Sequence, residues 1–281
     1  MLIASWNVNS IRSRIEQVID WLNIIKPDVL CLQETKVIDQ EFPYEPFKNI
    51  GYEVKVYGQK AYNGVAIISK NKFEDVKFGF EGELVEDETP EELINQKRII
   101  SAFINGVRII NLYVPNGSSI PSDKFTYKLQ WLKHLKRYLI AQEKRNESTI
   151  ILGDFNIAPK DQDIHTPEKF KNKIMASQLE RELLKDIIED RFLDSFRVFE
   201  NRSGFYSWWD YRNNAYNFNK GWRIDHIYIC KKILSKLKSS VIDSSQRENN
   251  KPSDHAPVMI DLNLDETSNV FDYEDEDFFE L

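Results

Sequence analysis

Six apolar runs in this 281-residue chain close on, or carry near one end, a carboxylate, an amide or a phenol where another aliphatic side chain would pack better. "LIASWNVN" ends on Asn7, "DVLCLQET" on Glu34, "VRIINLYVPNG" on Tyr113 and Asn116, and "TIILGDFN" on Asp154 and Asn156. "GWRIDHIYI" carries Asp225 amid apolar neighbours, and "KPSDHAPVMIDL" sets Asp254 and His255 just ahead of a hydrophobic run. Taken singly, an Asp or Asn after a strand is a turn former or a helix cap, and Glu34 alone would be a surface residue. Repetition changes the reading. Glu34, Asp154, Asp225 and Asp254, gathered with a histidine and two asparagines, would repel one another without a cation. An oxygen-rich set with one imidazole suits a hard divalent ion such as Mg²⁺ or Mn²⁺. Zinc is a poorer match, because no cysteine pair or multi-histidine spacing accompanies these residues.

The elements that must position such a set are legible as short Val- and Ile-rich runs. Strands are expected at 2–8, 28–33, 64–69, 98–104, 108–114, 149–152, 223–230 and 256–262. Helical spacing links some of them: Ile11, Ile15, Val18, Ile19, Leu22 and Ile25 recur at steps of three and four before "KPD". Phe125, Leu129, Leu132, Leu135 and Leu139 form a second such stripe, and Leu179, Leu183, Ile187 and Ile188 a third. No repeat of 20–50 residues is visible. Strands outnumber helices and run through the whole chain, which predicts two packed sheets with helices outside, in one domain over residues 1–262.

The totals set the boundaries. No run approaches the length of a membrane span, and the N-terminus lacks a basic segment followed by a long apolar one, so a cytoplasmic protein with no membrane partner is expected. Cys31 and Cys230 each lie inside an apolar run without CxxC spacing and read as reduced packing residues. A net charge of −7 argues at first against a nucleic-acid partner. The last eighteen residues, however, hold eight acids and no base, and the block 81–92 holds seven more; without both, the body carries +8. A basic face is therefore permitted. The tail, 263–281, reads as a disordered acidic end, with mimicry of nucleic acid or docking on a partner protein as the alternative.

With these residues in view, the chain resembles the exonuclease III family of apurinic/apyrimidinic endonucleases, within the endonuclease/exonuclease/phosphatase superfamily. The matching segments are "SWNVNSIRSR", "KPDVLCLQETKV", "YGQKAYNGVAIISK", "RIINLYVPNG", "ILGDFNIAP", "FYSWWDYR", "GWRIDHI" and "KPSDHAPV", in the family's order from Met1 to about Leu262. "LQET", "GDFN" and "SDHAP" belong to the wider superfamily, whereas "YVPNG", "SWWDYR" and "GWRID" point to its DNA-repair branch. The resemblance implies an α/β (α+β) fold, a four-layer α/β/β/α sandwich of two mainly antiparallel sheets, and metal-dependent phosphodiester hydrolysis. The substrate it implies is duplex DNA, cut 5′ to abasic sites or trimmed at blocked 3′ ends, by a monomer using Mg²⁺ or Mn²⁺.

Site roles carry over residue by residue. Asn7 and Glu34 match the cation-holding positions, with Asp254, Asp154, Asn156 and His255 as further candidates. Asp154 matches the group that orients or deprotonates the attacking water, and Asn156 the amide that steadies water and phosphate. Tyr113 matches a phenol at the scissile phosphate; Asp225 and His255 match a carboxylate–imidazole pair that contacts a phosphate oxygen. Protonation of the leaving 3′-oxygen stays open between Tyr113 and a water held by the metal. Trp208, Trp222 and Ile224 match a pocket for a base-free sugar, and Asn116, Lys124, Lys128 and Arg223 are expected phosphate contacts. Asn9 stands where some relatives have Asp, which leaves one outer carboxylate fewer beside Asn7. An inositol-phosphate or sphingomyelin hydrolase would share Asn7, Glu34, Asp154 and His255 without needing the tryptophans, a nonspecific DNase would cut intact duplex, and a silent DNA-binding adaptor would be free to lose a carboxylate.

Overall fold

The computed structural model describes residues 1–81, 93 and 95–264. Most of the acidic block 81–92 and the tail from 265 onward, with the docking role expected of it, lie outside the described residues.

Among the described residues, twelve strands form two six-stranded sheets. The first contains β1 (Leu2–Asn7), β2 (Val29–Gln33), β3 (Glu53–Tyr57), β4 (Val65–Ser69), β11 (Leu237–Ile242) and β12 (Val258–Leu262), ordered β11-β12-β1-β2-β4-β3. The second contains β5 (Glu74–Phe78), β6 (Ile99–Ile104), β7 (Val107–Tyr113), β8 (Ser148–Asp154), β9 (Phe192–Asp194) and β10 (Asp225–Cys230), ordered β5-β6-β7-β8-β10-β9. Each sheet has one parallel pair at its centre, β1 with β2 and β7 with β8, and antiparallel pairs on either side. A parallel pair needs a crossover, supplied by α1 (Ile11–Ile25) in the first sheet and by α3 (Asp123–Glu143) in the second. Two mainly antiparallel sheets with these helices outside make the four-layer sandwich.

Period-two alternation decides which side chains meet. Ile3, Val29, Cys31, Ile67, Ile109, Ile150, Leu152 and Ile227 point between the sheets and pack there. Their neighbours point outward: Trp6, Leu30 and Leu32 pack beneath α1 and α2 (Tyr44–Asn49), and Ile110, Leu112 and Ile151 beneath α3 and α4 (Gln178–Ile188). One polar seam crosses the interior. Gln33 Nε2 donates to Ser5 Oγ at 3.0 Å and to Asn111 Oδ1 at 2.7 Å, and Asn111 Nδ2 donates to the carbonyls of Leu32 and Ala66 at 2.9 Å each. These directional bonds fix the register of one sheet on the other one residue before Glu34. No helix among the described residues is long and apolar enough to cross a membrane.

Candidate active site

Both parallel pairs end on the same side of the sandwich. Asn7 closes β1, Glu34 follows β2, Tyr113 closes β7 and Asp154 closes β8, so four strand ends from two sheets deliver polar side chains to one place. Gly153, just before Asp154, has φ +138, and a Cβ there would lie 1.9 Å from the Leu112 carbonyl. Glycine is what lets β8 press against β7 at that point.

Glu34, Asp154 and His255 each offer a ligand atom within 4.8 Å of the others. Asp154 is wholly buried. Its Oδ2 accepts from Asn7 Nδ2 at 2.9 Å and Asn156 Nδ2 at 3.1 Å, and its Oδ1 from the Asn156 backbone N–H at 2.9 Å. Burial raises its pKa; the His255 imidazole pulls the other way, and the Asp225 and Glu34 carboxylates raise it again. The hard carboxylate oxygens of Glu34 and Asp154 fit a divalent cation, whose charge would keep Asp154 ionised at neutral pH. His255 Nδ1 contacts Asp225 Oδ2 at 2.9 Å, while Asp225 Oδ2 also accepts from Ser207 Oγ at 2.7 Å. Burial works against the imidazolium, but the Asp225 and Asp154 carboxylates outweigh it and raise its pKa. The ring therefore carries its charge with Nε2 turned toward Asp154, 3.8 Å away.

Other members of the expected set take more particular positions. Asn7 turns its NH₂ to Glu34 Oε1 and Asp154 Oδ2, while its Oδ1 accepts from the Asn9 N–H. As oriented, its amide nitrogen donates to both carboxylates. Asn156, at φ +50, spends its Oδ1 on Asn116 Nδ2 at 2.8 Å, so its free oxygen is likewise engaged. Asp254 lies outside the Glu34–Asp154–His255 group and accepts from Trp208 Nε1 at 2.9 Å and Asn9 Nδ2 at 3.0 Å. Burial and the Glu34 carboxylate raise the Tyr113 phenol well above its ordinary value, leaving it a neutral donor hydrogen-bonded to Glu34. Lys124 is exposed at the start of α3.

Two expected phosphate contacts are corrected. Lys128 is wholly buried and ion-paired with Glu180 at 2.5 Å, so its ammonium faces protein on every side. Arg223 is 1% exposed; its Nε donates to Asp163 Oδ1 at 2.7 Å and its Nη2 to Asp194 Oδ2 at 2.7 Å. It is a strut between the end of β9, the 163 loop and β10. The sugar-pocket residues are gathered, though mostly closed over: Trp222 and Ile224 are 4% and 1% exposed, and Phe170 stands edge-on to Trp222 at 4.9 Å. Only Trp208 is half-exposed, its backbone bridged to both Trp222 and His255.

The Arg223 strut predicts acid sensitivity. Its Nη1 faces His226 Nδ1 at 3.0 Å, which forces that nitrogen to accept and the Nε2–H to donate to the Ile157 carbonyl. Burial and the Arg223 charge push His226 from the ordinary 6.5 down to about 4. The unfolded chain binds this proton between those values and the folded chain does not, so the contribution of His226 to stability falls as pH drops from 6.5 to 4, by on the order of 3 kcal/mol. Burial would raise Asp163 and Asp194, but Arg223 beside them holds both below the ordinary Asp value, and their contribution is lost at still lower pH. His255, with its raised pKa, contributes in the opposite sense as pH climbs above 6.5. Asp154, with its raised pKa, acts in the opposite sense over the same window but is common to both proteins, so urea unfolding of wild type and His226→Asn at pH 7, 5.5 and 4 isolates the histidine: the stability of wild type relative to the variant is expected to fall as pH drops. Equal slopes would contradict the assignment.

Several participants carried no mark in the sequence analysis. Lys36 Nζ lies 2.8 Å from Glu34 Oε2 and 2.6 Å from Asn9 Oδ1, Arg98 stacks on the Tyr113 ring at 4.6 Å, and Ser207 braces Asp225. Lys36 follows Glu34 by two residues and Ser207 opens "SWWD", so proximity to a motif was the available signal.

Comparison with known proteins gives the relatives of the chain. The sequence profile described as Endonuclease/Exonuclease/phosphatase family matches residues 4–255. Exodeoxyribonuclease III of Haemophilus influenzae is 33% identical over 274 residues, covering 93% of this chain and all of that protein. An AP endonuclease from Archaeoglobus fulgidus superposes with a TM-score of 0.87 at 38% identity, covering 94% of this chain and 100% of that one. A 3′ phosphatase from Neisseria, solved with a product DNA hairpin, does so with the same TM-score and identity, covering 94% and 99%.

Proposed function

Because the chain belongs to the endonuclease/exonuclease/phosphatase family, in its exonuclease III branch, we propose that it is a DNA-repair phosphodiesterase that incises duplex DNA 5′ to abasic sites. The same site would serve 3′-to-5′ exonuclease action and removal of 3′-terminal phosphates, the activity named for the Neisseria relative. The observation that carries this reading is the convergence of Glu34, Asp154 and the Asp225-paired His255 at the ends of strands from both sheets.

A divalent cation, Mg²⁺ or Mn²⁺, held chiefly by Glu34 and Asp154, would neutralise charge on the phosphate. The chain's own groups do the rest. Asp154, gripped by three hydrogen bonds, directs an attacking water in line. The His255 imidazolium, held by Asp225, donates from Nε2 to a phosphate oxygen. Asn156 and Asn116 steady the phosphate, Tyr113 keeps its proton for the reacting oxygens, and Lys124 contacts the DNA backbone. The Trp208 edge, beside Trp222 and Ile224, would admit a baseless sugar once the ring shifts, and flipping out is cheapest where no base remains.

A labelled duplex carrying one abasic analogue, assayed beside its intact counterpart with Mg²⁺, with Mn²⁺ and with chelator, tests the proposal. Cleavage is expected 5′ to the lesion with either metal, none with chelator, and little on intact duplex. Equal cutting of both duplexes would make the protein a nonspecific nuclease, and none under any condition would remove it from DNA repair.

A further inference from the structure

Both loops that carry the site's carboxamides are fastened to one buried ammonium. Lys128, in the second turn of α3, is 0% exposed. Its Nζ donates to the Asn116 carbonyl at 3.1 Å, to the Asn156 carbonyl at 2.8 Å, and to Glu180 at 2.5 Å, so each of its N–H bonds has a partner. Glu180, also 0% exposed, is fixed in turn: its Oε1 accepts from the Met175 N–H at 3.0 Å, and its Oε2 from the Ser177 N–H at 3.1 Å and Ser177 Oγ at 2.6 Å.

Mutual attraction is a weak reason for such a pair. Taking two charges out of water offsets much of their attraction, so the worth of the pair lies in the other buried groups it satisfies. What an apolar pair cannot do is hold two carbonyls in a set direction. The Asn156 carbonyl belongs to a residue at φ +50, a left-handed conformation that asparagine adopts more readily than most residues and that turns this carbonyl toward Lys128. From these backbones the linkage continues through side chains: Asn116 Nδ2 donates to Asn156 Oδ1 at 2.8 Å, and Asn156 Nδ2 to Asp154 Oδ2 at 3.1 Å. An unbroken hydrogen-bonded chain thus runs from Ser177 through Glu180 and Lys128 to Asp154. Gly117 lies over the lysine stem, where a Cβ would meet Lys128 Cδ at 3.1 Å.

We propose that Lys128 and Glu180 are a positioning pair for hydrolysis, aiming the carboxamides of Asn116 and Asn156 at the phosphate and at Asp154 without touching DNA themselves. The role rests on the nuclease reading above and adds to it two residues outside the reacting centre.

The test is the double variant Lys128→Met/Glu180→Leu, which removes both charges together. Urea unfolding is expected to show a folded protein of lower stability, because the Asn116 and Asn156 carbonyls and the Met175 and Ser177 N–H groups lose their partners, while kcat for abasic incision falls on the order of 10- to 100-fold, as small misplacements of reacting groups do, and KM stays within about twofold, since no contact to DNA is removed. Wild-type kcat in a folded double variant would overturn the proposal, as would a loss carried wholly by KM, the mark of a DNA contact. Should the double variant not fold, Glu180→Gln gives the same readout, because its amide nitrogen meets the Ser177 N–H in place of an oxygen. A several-fold lower kcat at unchanged KM then supports the role and an unchanged kcat overturns it. A wild-type protein that cuts no DNA would overturn the nuclease reading and the pair's role together, whereas an active wild type with an equally active variant overturns the role alone.

Discussion

Asp154→Asn is expected to lower kcat for abasic incision by at least about 10² to 10³, the scale of one preorganised electrostatic or acid–base contribution, with a smaller change in KM. The carboxylate accepts from two side-chain amides and one backbone N–H. An asparagine presents an NH₂ to at least one of these donors, so the substitution removes the negative charge proposed to orient water and also breaks the local bonding pattern. The fold should survive. Burial and neighbouring carboxylates already disfavour the ionised form in the metal-free protein, and relief of that repulsion offsets a mismatched hydrogen bond. The expected profile is a folded, DNA-binding protein of very low turnover. A kcat within tenfold of wild type would remove Asp154 from the reaction.

Glu34→Gln should have the second-largest effect, through the cation rather than the water. The Glu34 carboxylate is shared among Asn7 Nδ2, Tyr113 and the Lys36 ammonium at 2.8 Å. Burial would raise its pKa, yet Lys36 and the Asn7 amide hold it below the ordinary Glu value, so it is ionised and ready to bind a metal at neutral pH. Glutamine removes that charge and leaves Lys36 uncompensated beside the site, where it repels a divalent ion. Loss of an outer hydrogen-bonding partner alone weakens metal sites about 10- to 100-fold, and loss of a charged ligand should exceed that. Incision by the variant should accordingly need far more Mg²⁺, with saturating metal restoring only part of the rate.

The division between what could and could not be read from the sequence follows burial. The eight expected strands are the eight inner strands of the two sheets, covered on both faces and therefore written as near-continuous apolar runs. The four that went unread, β3, β5, β9 and β11, are the four sheet edges. Glu53–Tyr57, Glu74–Phe78 and Leu237–Ile242 each expose part of their length, and Phe192–Asp194 is three residues long, so none of them shows the apolar run that marks a strand. Edge strands are short and charged for a physical reason, since an apolar edge invites pairing with another chain.

The site was legible where polarity interrupted an apolar run, as at Glu34 and Asp154. It was misread where a charge is neutralised from far along the chain. Arg223 is sixty residues from Asp163 and twenty-nine from Asp194, and nothing local to "GWRID" reveals that its guanidinium turns inward. Lys128 did leave a trace: three residues after Phe125 and four before Leu132, it falls on the buried stripe of its own helix. A lysine on that stripe must find a partner or stay out of the core, and Glu180, at the third position of a capping box begun by Ser177, supplies it.

On the function proposed above, strand ends from both sheets hold a divalent ion between Glu34 and Asp154. Titration of the metal-free protein with Mn²⁺, followed by electron paramagnetic resonance of the free ion, measures this without reference to turnover. The predicted result is saturable binding by wild type, weakened at least 10-fold in Glu34→Gln, weakened also in Asp154→Asn, and unaltered in Lys124→Ala. Binding of Mn²⁺ with the same affinity by wild type, Glu34→Gln and Asp154→Asn would contradict the account.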